Sequence, residues 1–245
     1  MKAFILAAGI GSRLLPLTKN NPKAIIKIQG IPMIDLIIKR LIKYGYNHII
    51  INLHHFGEKI EDHCKSQNNF GVHIDFIYEE KLLNTGGAVK NAAHLLLDTN
   101  PVLLHNVDAL SDINLFDFLK NHHLNQAKVS LAVQNRKTDR YLLFDESNQR
   151  LVGWKNIKTN EIILQHIVKG KIVPMAFSGI HLLSQDVIKH IAQNKETVFS
   201  ITKYYVEYCK QFNINGFYHN QSFFMDLGKH ENLKFAEYLN LNKFL

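Results

Sequence analysis

Leu6-Ala7-Ala8-Gly9-Ile10-Gly11-Ser12-Arg13-Leu14-Leu15-Pro16-Leu17-Thr18, followed by Asn21-Pro22-Lys23, is the stretch on which the reading of this chain turns. It leaves an apolar run, Ala3 to Ala7, whose composition predicts a strand. Gly9 and Gly11 permit positive φ and remove the Cβ that would hold a ligand off the backbone. A turn leaving a strand offers successive N–H groups to phosphate oxygens. Arg13 adds a planar fork and Lys23 a compact point charge. Pro22 biases Asn21 towards extended backbone, which helps aim Lys23 back at the loop. The pattern predicts a cradle for a nucleoside triphosphate, with backbone groups of Ala8 and Gly9 available to a base edge.

Two other phosphate motifs are excluded. No Gly-Lys-Ser/Thr follows the glycines, so this is not a Walker loop. The dinucleotide fingerprint fails too. Leu14 stands at its third glycine, and Gln29, Gly30 and Ile31 occupy the region where a ribose-binding acid belongs. An ordinary glycine-rich strand-to-helix turn would not require Arg13, Pro16, Thr18 and Lys23 at this spacing.

Four further segments follow in order: Thr85-Gly86-Gly87-Ala88, His105-Asn106-Val107-Asp108, Phe177-Ser178-Gly179-Ile180 and Met225-Asp226-Leu227-Gly228. With the first stretch they resemble the sugar-nucleotide pyrophosphorylases, nucleotidyltransferases that join a nucleoside triphosphate to a sugar 1-phosphate. The similarity runs from Lys2 to about Leu233. It implies a Rossmann-like nucleotidyltransferase fold, Mg2+ as cofactor, and an NTP and a sugar 1-phosphate as substrates. A monomer or homodimer is expected.

Asp108 follows the apolar run Val102-Leu103-Leu104, and Asp226 ends Phe223-Phe224-Met225. Both thus fall at strand carboxyl ends, where ligands bind in open α/β sheets. The resemblance makes them the magnesium ligands; the alternative is turn-forming or capping aspartates. Arg13 is expected on the β/γ-phosphates and Lys23 on the α-phosphate or the attacking phosphate. The nucleotide side would comprise Ala8, Gly9, Gly11, Arg13, Lys23, Glu79, Thr85, Gly86 and Gly87. The sugar side would comprise Asn106, Ser178, Gly179 and Lys155.

Some assignments stay open. Relatives generally carry glycine before the metal-binding aspartate, and Val107 there is expected to crowd the ribose or sugar phosphate. Asp112 reads either as an acid supporting Asp108 or as a helix N-terminal residue, and Thr85 as an N-cap. His230 reads equally as a sugar-side residue or a solvent-facing one.

The chain has 245 residues, 46% of them hydrophobic, enough for a substantial core as one domain. Cys64 and Cys209 are too few for a disulfide framework and predict idle thiols in a reducing cytoplasm. The N-terminal apolar run is too short for a signal peptide, and no run approaches the ~20 residues of a membrane span. A net charge of +8 invites a nucleic-acid reading, yet the basic residues are scattered and form no RNA-binding motif. A positive field draws phosphorylated small molecules equally well. Neither nucleic acid nor membrane is expected as a partner.

Strand and helix signals alternate through the first half. Strands are predicted over 2–7, 48–53, 72–78, 102–105 and 128–134, and helices over 34–43, 58–65, 86–97 and 115–121. This predicts an α/β fold, a mostly parallel sheet flanked by helices. Short strands over 141–145, 151–154 and 162–166 predict a β-rich insertion at about 136–174, serving as a substrate lobe. A strand over 175–182, helices over 184–192 and 200–210, a strand over 223–226 and a helix over 230–239 complete the chain. No hexapeptide repeat is present, so the acyltransferase domain of some relatives is not expected.

The expected substrate pair is UTP with N-acetylmuramate 1-phosphate. Alternatives are GTP with mannose or heptose 1-phosphate, CTP with phosphocholine, and a silent nucleotide-sugar-binding subunit. Lys155, Lys158, Lys169 and Lys171 would attract a muramate carboxylate, or would merely solvate a hairpin.

Overall fold

The computed structural model describes residues 1–166, 168 and 170–244. Strand β1 (Lys2–Leu6) leads through 3-10 turns at Ser12–Leu14 and Lys23–Ile25 to a small hairpin, β2 (Lys27–Ile28) and β3 (Ile31–Pro32). Then come α1 (Met33–Lys43), β4 (His48–Leu53), α2 (Gly57–Ser66), β5 (His73–Tyr78) and α3 (Asn84–Leu96). Next are β6 (Val102–Asn106), β7 (Ala109–Ser111), α4 (Leu115–Leu124) and β8 (Val129–Gln134). They are followed by β9 (Arg140–Asp145), β10 (Leu151–Asn156), β11 (Glu161–Leu164) and β12 (Ile172–Leu183). The chain ends with α5 (Gln185–Ala192), α6 (Ile201–Tyr208), β13 (Ile214–Tyr218), β14 (Phe224–Asp226), α7 (His230–Ala236) and a 3-10 turn.

The central sheet runs β5-β4-β1-β6-β12-β8-β13. Strands β5, β4, β1 and β6 are mutually parallel, β12 is antiparallel to both β6 and β8, and β13 is parallel to β8. All of these except β12 therefore point one way. This is the mostly parallel α/β sheet the sequence predicts. The alternation in β1 explains how it is covered. Phe4 and Leu6 face α3, α5 and α6, whereas Ala3 and Ile5 face α1, α2 and α4. Two apolar layers result, and each fully buried Leu, Ile or Phe within them contributes roughly 1.5–3 kcal/mol.

A third cluster, containing Leu14, Met33, Leu110, Leu227 and Leu233, pins the glycine loop to β7 and α7. Four strands escaped the periodicity: β13, interrupted by Asn215 and Gly216, the three-residue β7, and the two-residue β2 and β3.

Strand β12 serves two sheets. Its first residues, Ile172–Met175, pair with β9, which begins the antiparallel β9-β10-β11 meander. Its later residues pair with β8 and β6. The register with β8 shifts between Phe177 and His181, where Gly179 takes φ +70. Such a bulge re-aims the backbone beside a site.

Candidate active site

A cleft of about 310 Å3 opens at the carboxyl ends of β1, β4 and β6. Ala8, Gly9 and Lys23 form one side, Asn106 and Asp108 the floor, and Glu79, Asn84, Thr85 and Ser200 the far wall. Gly11 turns the loop with φ +73, and a Cβ there would lie 2.8 Å from the Thr18 methyl and 3.2 Å from Lys23 Cβ. The Thr18 hydroxyl donates to the Gly11 carbonyl at 2.9 Å. Lys23 therefore folds back across the loop, as the Pro22 reading expects. Its Nζ reaches Asp108 Oδ2 at 2.7 Å. Arg13 follows in the 3-10 turn and lies 3.3 Å from Asp226 Oδ2.

Main-chain pairing brings the two acids together. Strands β7 and β14 are antiparallel with Asp226 opposite Ala109, and the Leu227 N–H donates to the Asp108 carbonyl at 2.8 Å. Asn232 donates to the Asp226 carbonyl, and the Gly228 N–H to Asp226 Oδ1 at 2.9 Å. Gly228 sits between the carboxylates. A Cβ added there would lie 2.8 Å from Asp108 Oδ2, 2.9 Å from Asp226 Oδ1 and 2.8 Å from an Arg13 nitrogen. Two carboxylate oxygens from separate strands thus converge on one small space kept open by glycine. That oxygen donor set suits a hard divalent cation such as Mg2+.

Asn52, which the sequence reading missed, holds the loop. Its Oδ1 accepts from Ala7 N at 2.7 Å and Ala8 N at 3.4 Å, and its Nδ2 donates to Glu79 Oε1 at 2.7 Å. Glu79 Oε2 accepts from Leu83 N at 3.0 Å. Glu79, expected on the nucleotide side, thus also braces the start of α3. A polar residue closing the apolar run Ile49-Ile50-Ile51 was the signal for Asn52.

On the sugar side, a Cβ at Gly179 would strike the Asn106 amide at 2.5 Å, so bulge and cleft floor are in close contact. Ser178 is buried and its hydroxyl pairs with His219 Nε2 at 2.8 Å. Burial lowers the His219 pKa to about 4, so this ring is neutral near pH 7. Arg136 was also missed. It donates to the Phe177 carbonyl at 2.7 Å and stacks over Phe224. Burial lowers its pKa, while the charge of nearby Asp226 acts in the opposite sense.

Several expected residues do other work. Gly86 and Gly87 lie inside α3, where a Cβ would meet the Phe199 ring at 2.3 Å and the Thr197 carbonyl at 2.2 Å. They serve packing, and only Thr85 of that segment lines the cleft. Thr85 does not cap α3; its hydroxyl accepts from Ile201 N at the start of α6. Val107 is fully buried in the apolar layer beneath α1 and α4, so its side chain points away from the substrates. Asp112 accepts from Phe223 N, and Asn114 caps α4. His230 pairs with the Leu15 carbonyl at 2.8 Å and ties α7 to the loop. Lys155 lies over the Tyr141 ring, Lys158 pairs with Asp139, and Lys171 with Glu146; Lys169 falls outside the described residues. Cys64 and Cys209 are buried thiols, pushed by burial to about 12 and about 11. No helix among the described residues is long and apolar enough to cross a membrane.

A glycine loop with two cations thus faces paired acids at the strand ends, which makes this the candidate active site. The nucleotidyl transferase family profile matches residues 2–152, and the chain belongs to that family. Its relatives include an N-acetylmuramate alpha-1-phosphate uridylyltransferase of Caulobacter vibrioides, 25% identical and covering 76% of each chain. A D-glycero-alpha-D-manno-heptose 1-phosphate guanylyltransferase of Campylobacter jejuni is 29% identical, covering 93% of this chain and 95% of its own. An N-acetylmuramate alpha-1-phosphate uridylyltransferase of Neisseria meningitidis is 39% identical over 46% of this chain and 49% of its own. Among solved structures, the inositol-1-phosphate CTP transferase of T. maritima superposes with TM-score 0.76 at 16% identity, covering 99% of this chain and 95% of that one. These relatives are nucleotidyltransferases, most of them acting on sugar 1-phosphates.

Proposed function

We propose that the chain makes an NDP-sugar and pyrophosphate from an NTP and a sugar 1-phosphate, with Mg2+ held by Asp108 and Asp226. The convergence of both carboxylates on the space above Gly228, flanked by Arg13 and Lys23, carries this reading. Both reactants are anionic, so catalysis rests on positioning and charge neutralisation. The triphosphate lies along the Gly9–Arg13 loop, with Arg13 on its β/γ-phosphates. A sugar-phosphate oxygen attacks the α-phosphorus in line, and the bond to pyrophosphate breaks. Lys23 stabilises charge on the α-phosphate during transfer. A cation held by Asp108 and Asp226 would supply further neutralisation of the phosphate charge. No side chain must remove a proton, since the attacking phosphate is already ionised. The cytoplasm, where phosphorylated substrates reside, is the proposed compartment.

For substrates we favour UTP and N-acetylmuramate 1-phosphate, supported by the names of the Caulobacter and Neisseria relatives. The near full-length Campylobacter relative favours a second reading, GTP with a heptose 1-phosphate. The expected lysine patch lends no weight, because Lys158 and Lys171 are engaged in surface ion pairs. The deciding experiment measures pyrophosphate release from four NTPs against N-acetylmuramate, N-acetylglucosamine, mannose and heptose 1-phosphates and phosphocholine. Highest kcat/KM for UTP with N-acetylmuramate 1-phosphate is the expected result. Preference for GTP with heptose or mannose phosphate would replace the substrate pair, and no release with any acceptor would remove the transferase reading.

A further inference from the structure

Away from the cleft, His48, His73 and Asp75 form a group whose ligand atoms all lie within 4.8 Å of one another. Among the described residues it is the one such cluster of three His, Cys, Asp or Glu side chains. It sits at the amino ends of β4 and β5, opposite the end of the sheet that carries the phosphate loop. The register explains the convergence. His48 pairs directly with His73 across the parallel strands, and Asp75, two residues on, shares the face of His73.

The donors already point at one another. His48 Nε2 lies 2.7 Å from Asp75 Oδ2, and His73 Nε2 lies 3.2 Å from Asp75 Oδ1. The two rings meet edge to face at 4.4 Å. A cation bound at ~2.0–2.2 Å from imidazole nitrogen and carboxylate oxygen holds its donors roughly 3.3–3.5 Å apart in a tetrahedron. The observed separations reach that range with small side-chain rotations. Both histidines would bind through Nε2 as neutral rings, each with its proton on Nδ1. His73 is exposed and the other two are half-buried, so the cation has an entry path and room for a water ligand.

We propose that His48, His73 and Asp75 constitute a second metal site, selective for a borderline divalent transition metal such as Zn2+ over Mg2+. Two imidazoles and one carboxylate favour Zn2+, Co2+, Ni2+ or Cu2+, whereas all-oxygen donors suit Mg2+. The chain thereby separates two classes of cation on opposite ends of one sheet.

The test titrates Zn2+ into the intact protein in excess Mg2+, which keeps the oxygen-rich cleft occupied, and repeats the titration with His73→Ala and His48→Gln. One Zn2+ is expected to bind wild type with micromolar affinity, weakened at least ~10-fold in either variant. Co2+ should give the visible bands of a low-coordinate site in wild type and lose them in His73→Ala. Transferase activity in Mg2+ and thermal stability of His73→Ala should equal wild type. Absence of micromolar Zn2+ binding, or unchanged binding in His73→Ala, would overturn the site and leave a simple cluster of His–Asp hydrogen bonds.

Discussion

Lys23 Nζ lies 2.7 Å from Asp108 Oδ2, so the loop cation and the acid after β6 neutralise each other across the cleft. Both side chains are nearly buried, at 13% and 12% exposure, so neither charge is well served by water alone. Asp108→Asn keeps the shape and removes the charge. Turnover is expected to fall roughly 100-fold or more with the fold intact. Steady-state kinetics across a magnesium series checks this, and near-normal kcat would refute the metal assignment.

Arg13 and Lys23 should separate kinetically. Arg13 is largely exposed at the loop rim, so Arg13→Ala should chiefly raise KM for the NTP. Lys23→Ala should lower kcat as well, and Arg13→Lys should recover only part of the loss because it lacks the fork. Equal, mild effects from both alanine variants would point to general surface charge instead.

Gly228→Ala is the sharpest test of the cradle. The new methyl would sit within 2.9 Å of both carboxylates and an Arg13 nitrogen, in the space assigned to the cation. Activity should drop at least ~10-fold and the magnesium requirement rise. A thermal melt should stay close to wild type, since every atom the methyl would meet is the end of a side chain rather than backbone. Unaltered magnesium dependence would contradict the assignment.

Asn52→Ala removes the acceptor for Ala7 and Ala8 and leaves Glu79 Oε1 without its donor. Leaving such buried groups unpaired costs about 1–3 kcal/mol. Urea denaturation should report that loss, and KM for the NTP should rise as the loop loosens. Asn52→Asp would keep the acceptor but oppose Glu79, so it should be no better.

Acid should destabilise the protein through its buried histidines. Burial lowers His105, His122 and His219 to about 4 and His181 to about 3, from 6.5. Below pH 6.5 the unfolded chain therefore takes up protons that the native state refuses, and stability falls as pH drops towards about 4. Each fully buried ring contributes up to about 1.4 kcal/mol per pH unit in that window. Urea midpoints measured across it should decline steadily; a flat profile would mean these rings titrate normally.

Much of this was legible in the chain because periodicity and glycine placement are local. The apolar run of β1 marked a buried strand, and the Gly11 turn with Lys23 marked a candidate phosphate loop. Other features depend on distant pairing. Nothing near Asp226 reveals that β14 will lie beside β7, nor that Phe199 will press on Gly86. Arg136 and His219 reach the site from strand ends with no motif around them. Val107 read as an obstruction because the residue type was visible while its direction was not; the strand turns it into the core.

The shared strand β12 has an evolutionary consequence. Its Ile172–Met175 stretch holds the meander, its Ala176–Leu183 stretch holds the central sheet, and the Gly179 bulge interrupts the latter's pairing with β8. Mutations in β9, β10 and β11 can therefore accumulate without shifting the register that aligns the phosphate loop and the acids. On the proposed reading of β9–β11 as a substrate lobe, acceptor preference would drift on an unchanged activation chemistry, and grafting β9–β11 from a relative onto this spine would change the sugar accepted.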